Sequence, residues 1–135
     1  MLRKNAKIEL LKRVPLFSAC SKRELGEIAM LADELDLPKA RNLTKEGTAG
    51  WEFIVLIEGE ADVVRKGRVV NELGPGDFVG EIALVSGKPR TATVRTRGPA
   101  RILVVTASGF RVLMHDVPSI QAKVLAALAA RIADD

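Results

Sequence analysis

A mainly β fold with helices at both ends is the fold class this sequence predicts, and two observations carry the prediction. Nine of the eleven glycines fall between Gly47 and Gly98, where they punctuate short apolar runs such as Phe53 to Ile57, Val69 to Leu73 and Ile102 to Val105. Many short strands separated by glycine turns indicate a sandwich or barrel. Before and after that stretch the apolar residues instead recur at the helical period.

The elements follow in order. From Ala6 to Asp33 the pattern is helical: Ile8, Leu11 and Val14 lie on one stripe and Pro15 breaks it. Ser21 with Glu24 forms a capping box that opens a second helix carrying Leu25, Ile28, Ala29 and Ala32. Lys66 and Gly67, set between Ala61 to Val64 and Val69 to Val70, look like a two-residue hairpin turn. Gly74 to Asp77 is another turn and delivers the chain into Phe78. After Thr106 the helical period returns. Ser108 is the expected cap of a helix presenting Phe110, Leu113 and Met114, and Pro118 marks a break before a last helix with Ile120, Val124, Leu128 and Ile132 on one stripe.

At 135 residues, 47% of them hydrophobic and 28% charged, the chain is sized for one domain with a proper core. No long uncharged apolar run spans a bilayer and the N-terminus lacks a secretory pattern, so a cytoplasmic location is expected. The single cysteine, Cys20, cannot pair internally and reads as a structural thiol. The net charge of +4 suits an anionic ligand without demanding nucleic acid. Lys4, Lys7, Lys12, Arg13, Lys22 and Arg23 crowd the N-terminal helices, but Glu9, Glu24 and Glu27 are interleaved with them, as on a solvated helical face. Enzymatic chemistry is disfavoured: one histidine, His115, cannot build the metal site of a jelly-roll enzyme, and no serine triad or Walker-type loop is present. No catalytic residue, metal or cofactor is therefore expected.

The segment from Gly80 to Val94, GEIALVSGKPRTATV, carries the function. Gly80 lets the backbone bend sharply and approach a ligand, and Glu81 to Leu84 offer about one helical turn. The amides of such a turn favour an anion. Ser86, Gly87 and Pro89 return the chain to an extended path, so that Arg90 arrives from the opposite side of the same hollow. Its guanidinium can pair bidentately with two phosphate oxygens. Glu81 would repel a phosphate and is better matched to a ribose hydroxyl. A sugar and a phosphate held close together describe a cyclic nucleotide. Gly-Glu before apolar residues is common, and so is an arginine after proline; only their joint occurrence is specific.

This segment resembles the phosphate-binding cassette of the cyclic nucleotide-binding domain family, F-G-E-[IL]-A-L followed by P-R-x-A. The matching residues are Phe78, Gly80, Glu81, Ile82, Ala83, Leu84, Pro89, Arg90 and Ala92, with Val79 inserted between the aromatic and the glycine. The resemblance implies an antiparallel eight-stranded jelly-roll β-barrel (a double-stranded β-helix) with N-terminal helices and a C-terminal helical lid. The chain then divides into N-terminal helices over 1–33, a barrel over 34–106 holding the cassette at 78–93, and lid helices over 107–135. It further implies that Glu81 bonds the ribose 2′-hydroxyl, that Arg90 pairs with the cyclic phosphate, and that the amides of Ile82, Ala83 and Ala92 complete the cradle. Arg131 falls where some members place a base-contacting side chain; otherwise it is a charge near a helix C-terminus. One departure is Gly50 Trp51, where many members have Gly-Asp, with Glu52 next.

The expected ligand is cAMP, with cGMP tolerated because the Thr91 hydroxyl can donate to phosphate and accept from a guanine amino group. Ligand binding is expected to shift the C-terminal helices, through which a homodimer or an effector domain would be engaged. Two rival functions remain open: a fragment of a catabolite-activator-type transcription regulator, and a ligand-free interaction scaffold.

Overall fold

Residues 2–50, 52–80 and 89–134 are described by a computed structural model, residues 131–134 by their helical backbone. Helix α1 (Lys4–Lys12), a single 3-10 turn (Pro15–Phe17) and helix α2 (Lys22–Ala29) precede the strands. Eight strands follow among the described residues: β1 (Asp33–Leu37), β2 (Asn42–Thr44), β3 (Glu52–Glu58), β4 (Ala61–Arg65), β5 (Arg68–Leu73), β6 (Phe78–Val79), β7 (Thr93–Thr96) and β8 (Ala100–Thr106). Helices α3 (Ala107–Asp116) and α4 (Pro118–Asp134) complete the order.

The strands pair antiparallel in two four-stranded sheets, β1-β8-β3-β6 and β2-β7-β4-β5. Together with the flanking helices they make the jelly-roll sandwich that the sequence predicts. The alternation of side chains along a strand explains how the layers stack. On β3, Phe53 and Val55 join Leu103 and Val105 of β8 in a core shared with the helices, while Ile54 and Leu56 join Ile102 and Val104 in a core between the sheets. Both faces of β3 and β8 are thus covered, which is why these strands read as continuous apolar runs rather than alternating ones. By contrast, β5 lies at a sheet edge and leaves Val69 and Val70 more than half exposed.

All four phenylalanines form one chain of ring contacts. Phe110 of α3 lies 5.5 Å from Phe17, Phe17 meets Phe53 edge-on at 5.9 Å, and Phe53 lies 5.9 Å from Phe78. Phe17, Phe53 and Phe110 are fully buried. A scarce aromatic supply is therefore concentrated where the 3-10 turn, β3 and α3 meet, and its last ring stands two residues before Gly80.

The capping box at Ser21 and Glu24 is formed: the Glu24 amide donates to Ser21 Oγ at 3.2 Å and the Ser21 amide to Glu24 Oε1 at 2.7 Å. Lys66 (φ 52°) and Gly67 (φ 77°) both adopt left-handed backbone and join β4 to β5 as a two-residue turn. The Gly74 to Asp77 turn closes through the Asp77 amide on Gly74 O at 3.1 Å, and Asp77 and Gly76 are tied to Leu56 of β3 by two 2.8 Å bonds.

Two expectations are corrected. Thr106, not Ser108, caps α3, its hydroxyl accepting from the Gly109 amide at 3.2 Å. The last strand runs one residue further than the apolar pattern shows, so its final threonine becomes the cap. Glu24 is not part of a solvated face: it is buried, with Lys123 of α4 donating to it. Burial also raises the thiol pKa of Cys20, with the Glu24 charge acting in the same direction.

Candidate functional site

Arg90 is held in place first by its backbone. Its amide donates to Thr48 O at 2.9 Å and its carbonyl accepts from the Gly47 amide at 2.8 Å, while Ala49 and Pro89 form an isolated antiparallel bridge. The residues after it are fixed to β2 in the same way. Thr44 Oγ1, buried, donates to Ala92 O at 2.9 Å and accepts from the Val94 amide at 3.1 Å, and the Glu46 amide donates to Thr93 Oγ1 at 3.0 Å. The strand-like pairing of 44–49 with 89–94 replaces regular ladder at a point where β2 and β7 lose register between Asn42 and Thr44. The arginine is aimed by a hydrogen-bonded edge.

The side chain then runs between two glycines. A methyl group on Gly50 would fall on Arg90 Nε and Cζ and lie 2.6 Å from Cδ. One on Gly80 would strike Arg90 Nη1 and lie 2.5 Å from the main-chain oxygen of Glu52. Gly80 needs glycine for conformation as well, with φ at 84°, whereas Gly50 does not adopt a positive φ. Gly50 is glycine for space alone.

Arg90 Nη2 donates to Glu52 O at 2.5 Å, at the first residue of β3. The guanidinium carries five N–H donors, so this bond orients the planar fork without exhausting it. Burial draws the Arg90 pKa down from its ordinary value, and the nearby Glu52 carboxylate works against that shift. A cation stripped of part of its water in this way is the partner an anion can best repay. Arg90 opens onto a hollow of about 250 Å3 whose walls include Lys45, Thr48, Gly50 and Glu52. That volume lies just below the usual range of small-ligand sites, roughly 300 to 1,000 Å3.

The remaining sequence candidates fall as follows. Gly80 stands against Arg90, Ala92 is buried two residues beyond it, and Thr91 is exposed, its carbonyl accepting from Arg65 Nε at 3.2 Å. Glu81, Ile82 and Ala83, with the helical turn expected there, lie outside the described residues, as does Trp51. Arg131 lies on the backbone of α4, and its side chain is outside the described part. Sequence reasoning missed Gly50, Thr48 and the Glu52 carbonyl. The available signal was a second glycine three residues after Gly47, directly ahead of an apolar strand, where no turn calls for it.

Among the described residues no group of histidine, cysteine and acidic side chains could hold a metal ion, and no helix is long and apolar enough to cross a membrane. His115 is almost fully exposed beside Asp116.

The chain is 34% identical over 112 residues to a cAMP-dependent protein kinase regulatory subunit of Emericella nidulans, covering 82% of this chain and 27% of the relative. A cyclic nucleotide-gated potassium channel of Rhizobium etli is 33% identical over 112 residues, covering 83% and 31%. The chain thus spans less than a third of the length of these curated relatives. Among solved structures, the N-terminal domain of a transcriptional regulator from Streptomyces coelicolor A3(2) superposes with a TM-score of 0.84 at 27% identity, covering 93% of each chain. The family model of the cyclic nucleotide-binding domain matches residues 34–116, more than half of the chain and the stretch that holds both sheets and Arg90. The chain belongs to the cyclic nucleotide-binding domain family.

Proposed function

We propose that residues 1–135 form one cyclic nucleotide sensor domain that takes cAMP and tolerates cGMP. Glu81 accepts from the ribose hydroxyl and Arg90 pairs with the cyclic phosphate. Gly80 and the amides of Ile82, Ala83 and Ala92 line the phosphate, Thr91 faces phosphate and base, and Arg131 contacts the base from α4. The domain binds and does not catalyse. Its output is a shift of the helices after Thr106 toward an effector domain or a second copy, limited by the ligand's differential affinity for the two arrangements, about 1 to 3 kcal/mol.

The observation that supports this reading is the half-buried Arg90 guanidinium, oriented by one main-chain carbonyl between two glycines and open to a hollow. Calorimetric titration with cAMP tests it. Arg90→Ala removes one partner of a desolvated charge pair, worth on the order of 2 to 5 kcal/mol, so affinity falls by about one and a half to three and a half powers of ten. Unchanged affinity in that variant defeats the phosphate site.

The structural likeness to a transcriptional regulator's N-terminal domain favours a second reading, in which this domain governs a DNA-binding partner domain. Salt-dependent DNA binding that responds to cAMP in a longer chain, and is absent from residues 1–135, distinguishes that reading.

A further inference from the structure

We propose that Gly50 is a positioning residue for the anion: its missing side chain is the slot in which the Arg90 guanidinium lies, so the fork is set before any ligand arrives. The proposal rests on the cyclic nucleotide reading above for the identity of the ligand, but the slot itself is a property of the free protein.

Three observations lead to it. The three atoms that a Cβ on Gly50 would approach most closely, Nε, Cζ and Cδ, all belong to the Arg90 side chain. Its backbone does not need glycine, having no positive φ. The third is that the Arg90 backbone is pinned on both sides, by Thr48 O and the Gly47 amide, so the side chain alone can yield. An added methyl therefore leaves the fold intact and swings the guanidinium off Glu52 O and out of the hollow. Gly80 does not offer the same clean test, because a methyl there also strikes the Glu52 carbonyl at a φ of 84°.

The consequence for binding is entropic and geometric. A guanidinium held by Glu52 O and flanked by two glycines meets the phosphate without first losing rotamer freedom. Evicted by a methyl, it contributes no more than an alanine would.

The experiment compares wild type, Gly50→Ala, Arg90→Ala, the double variant, and Gly98→Ala as a control whose Cβ meets nothing within 4 Å. Calorimetry with cAMP is expected to show G50A weakened at least about thirtyfold, and the double variant within about twofold of R90A, since effects that act through one group do not add. G98A binds as wild type does. A second readout needs no ligand. The Arg90 guanidinium resonances, assigned by their loss in Arg90→Lys, are expected to be resolved as a restricted group in wild type and averaged as in an exposed arginine in G50A. Binding by G50A within threefold of wild type, additive penalties in the double variant, or unchanged Arg90 resonances in G50A would each overturn the proposal. Failure of wild type to take up cAMP defeats the functional reading instead, and the resonance comparison still decides the role of Gly50.

Discussion

The Oε1 atom of Glu24 accepts both from the amide of Ser21 at the start of its own helix and from the ammonium of Lys123, 99 residues later on α4. One carboxylate oxygen therefore caps the start of α2 and ties that helix to α4. The Glu24 side chain is 10% exposed and that of Lys123 37%. The Lys123 hydrogen bond is the largest cause that holds the Glu24 pKa at about 2, below its usual 4.5, followed by the Ser21 amide.

Lys123→Ala is expected to destabilise the domain by about 1 to 2 kcal/mol in urea unfolding. A fully exposed pair contributes about 0 to 1 kcal/mol, and stripping a partner from a fully buried pair costs about 3 to 5; this pair lies between those limits. The pH dependence follows from the direction of the shift. A carboxylate whose pKa is lower when folded lends stability that is complete above its unfolded pKa, and that stability drains as pH falls toward the folded one. Wild type should lose stability between about pH 4.5 and 2 through Glu24, and K123A should lose less over that window. Equal acid limbs in the two proteins would contradict the assignment.

Thr91→Ala reports on base selection. Thr91 is exposed directly after Arg90, so its loss should leave cAMP affinity within a few fold and weaken cGMP by about tenfold, the scale of one neutral hydrogen bond. Competition titration reads the ratio; an unaltered ratio discards the base contact.

Thr106→Ala removes the cap of α3. Loss of an N-cap hydroxyl costs about 1 kcal/mol, and the amide it serves is that of Gly109. Hydrogen exchange at Gly109 is expected to accelerate roughly fivefold while the amides of β3 keep their protection.

Lys66→Asn tests the β4–β5 turn. Lys66 holds a left-handed conformation that asparagine tolerates better than lysine. A gain of about 0.5 kcal/mol in chemical unfolding is expected, against a loss of about 1 kcal/mol for Gly67→Ala at φ 77°.

Much of this arrangement was legible in the sequence because it is local. The Ser21 and Glu24 spacing, the Lys66-Gly67 turn and the Gly74 to Asp77 turn each act within four residues, so the pattern and the structure coincide. What escaped was long-range. Glu24 looks like one more acid among lysines until Lys123 is brought to it across the fold. Gly50 looks like a loop glycine until Arg90, forty residues on, lies in its place. The cap of α3 was placed two residues late because the apolar run Ile102 to Val105 hides that β8 continues to Thr106, which pairs with Glu52. Arg90 is legible as a candidate for binding an anion by residue type, but its support from Thr48 O and Glu52 O consists of main-chain atoms, which every residue carries and no spacing advertises.

The two-sided burial of β3 has a consequence for how the protein comes apart. Phe53 and Val55 serve the helical layer, while Ile54 and Leu56 serve the interior of the sandwich. Neither layer can dissolve without exposing the strand they share, so heating should give a single calorimetric endotherm with equal calorimetric and van't Hoff enthalpies. Helices that shift on this strand do so as tethered parts of one cooperative unit, not as a detachable appendage.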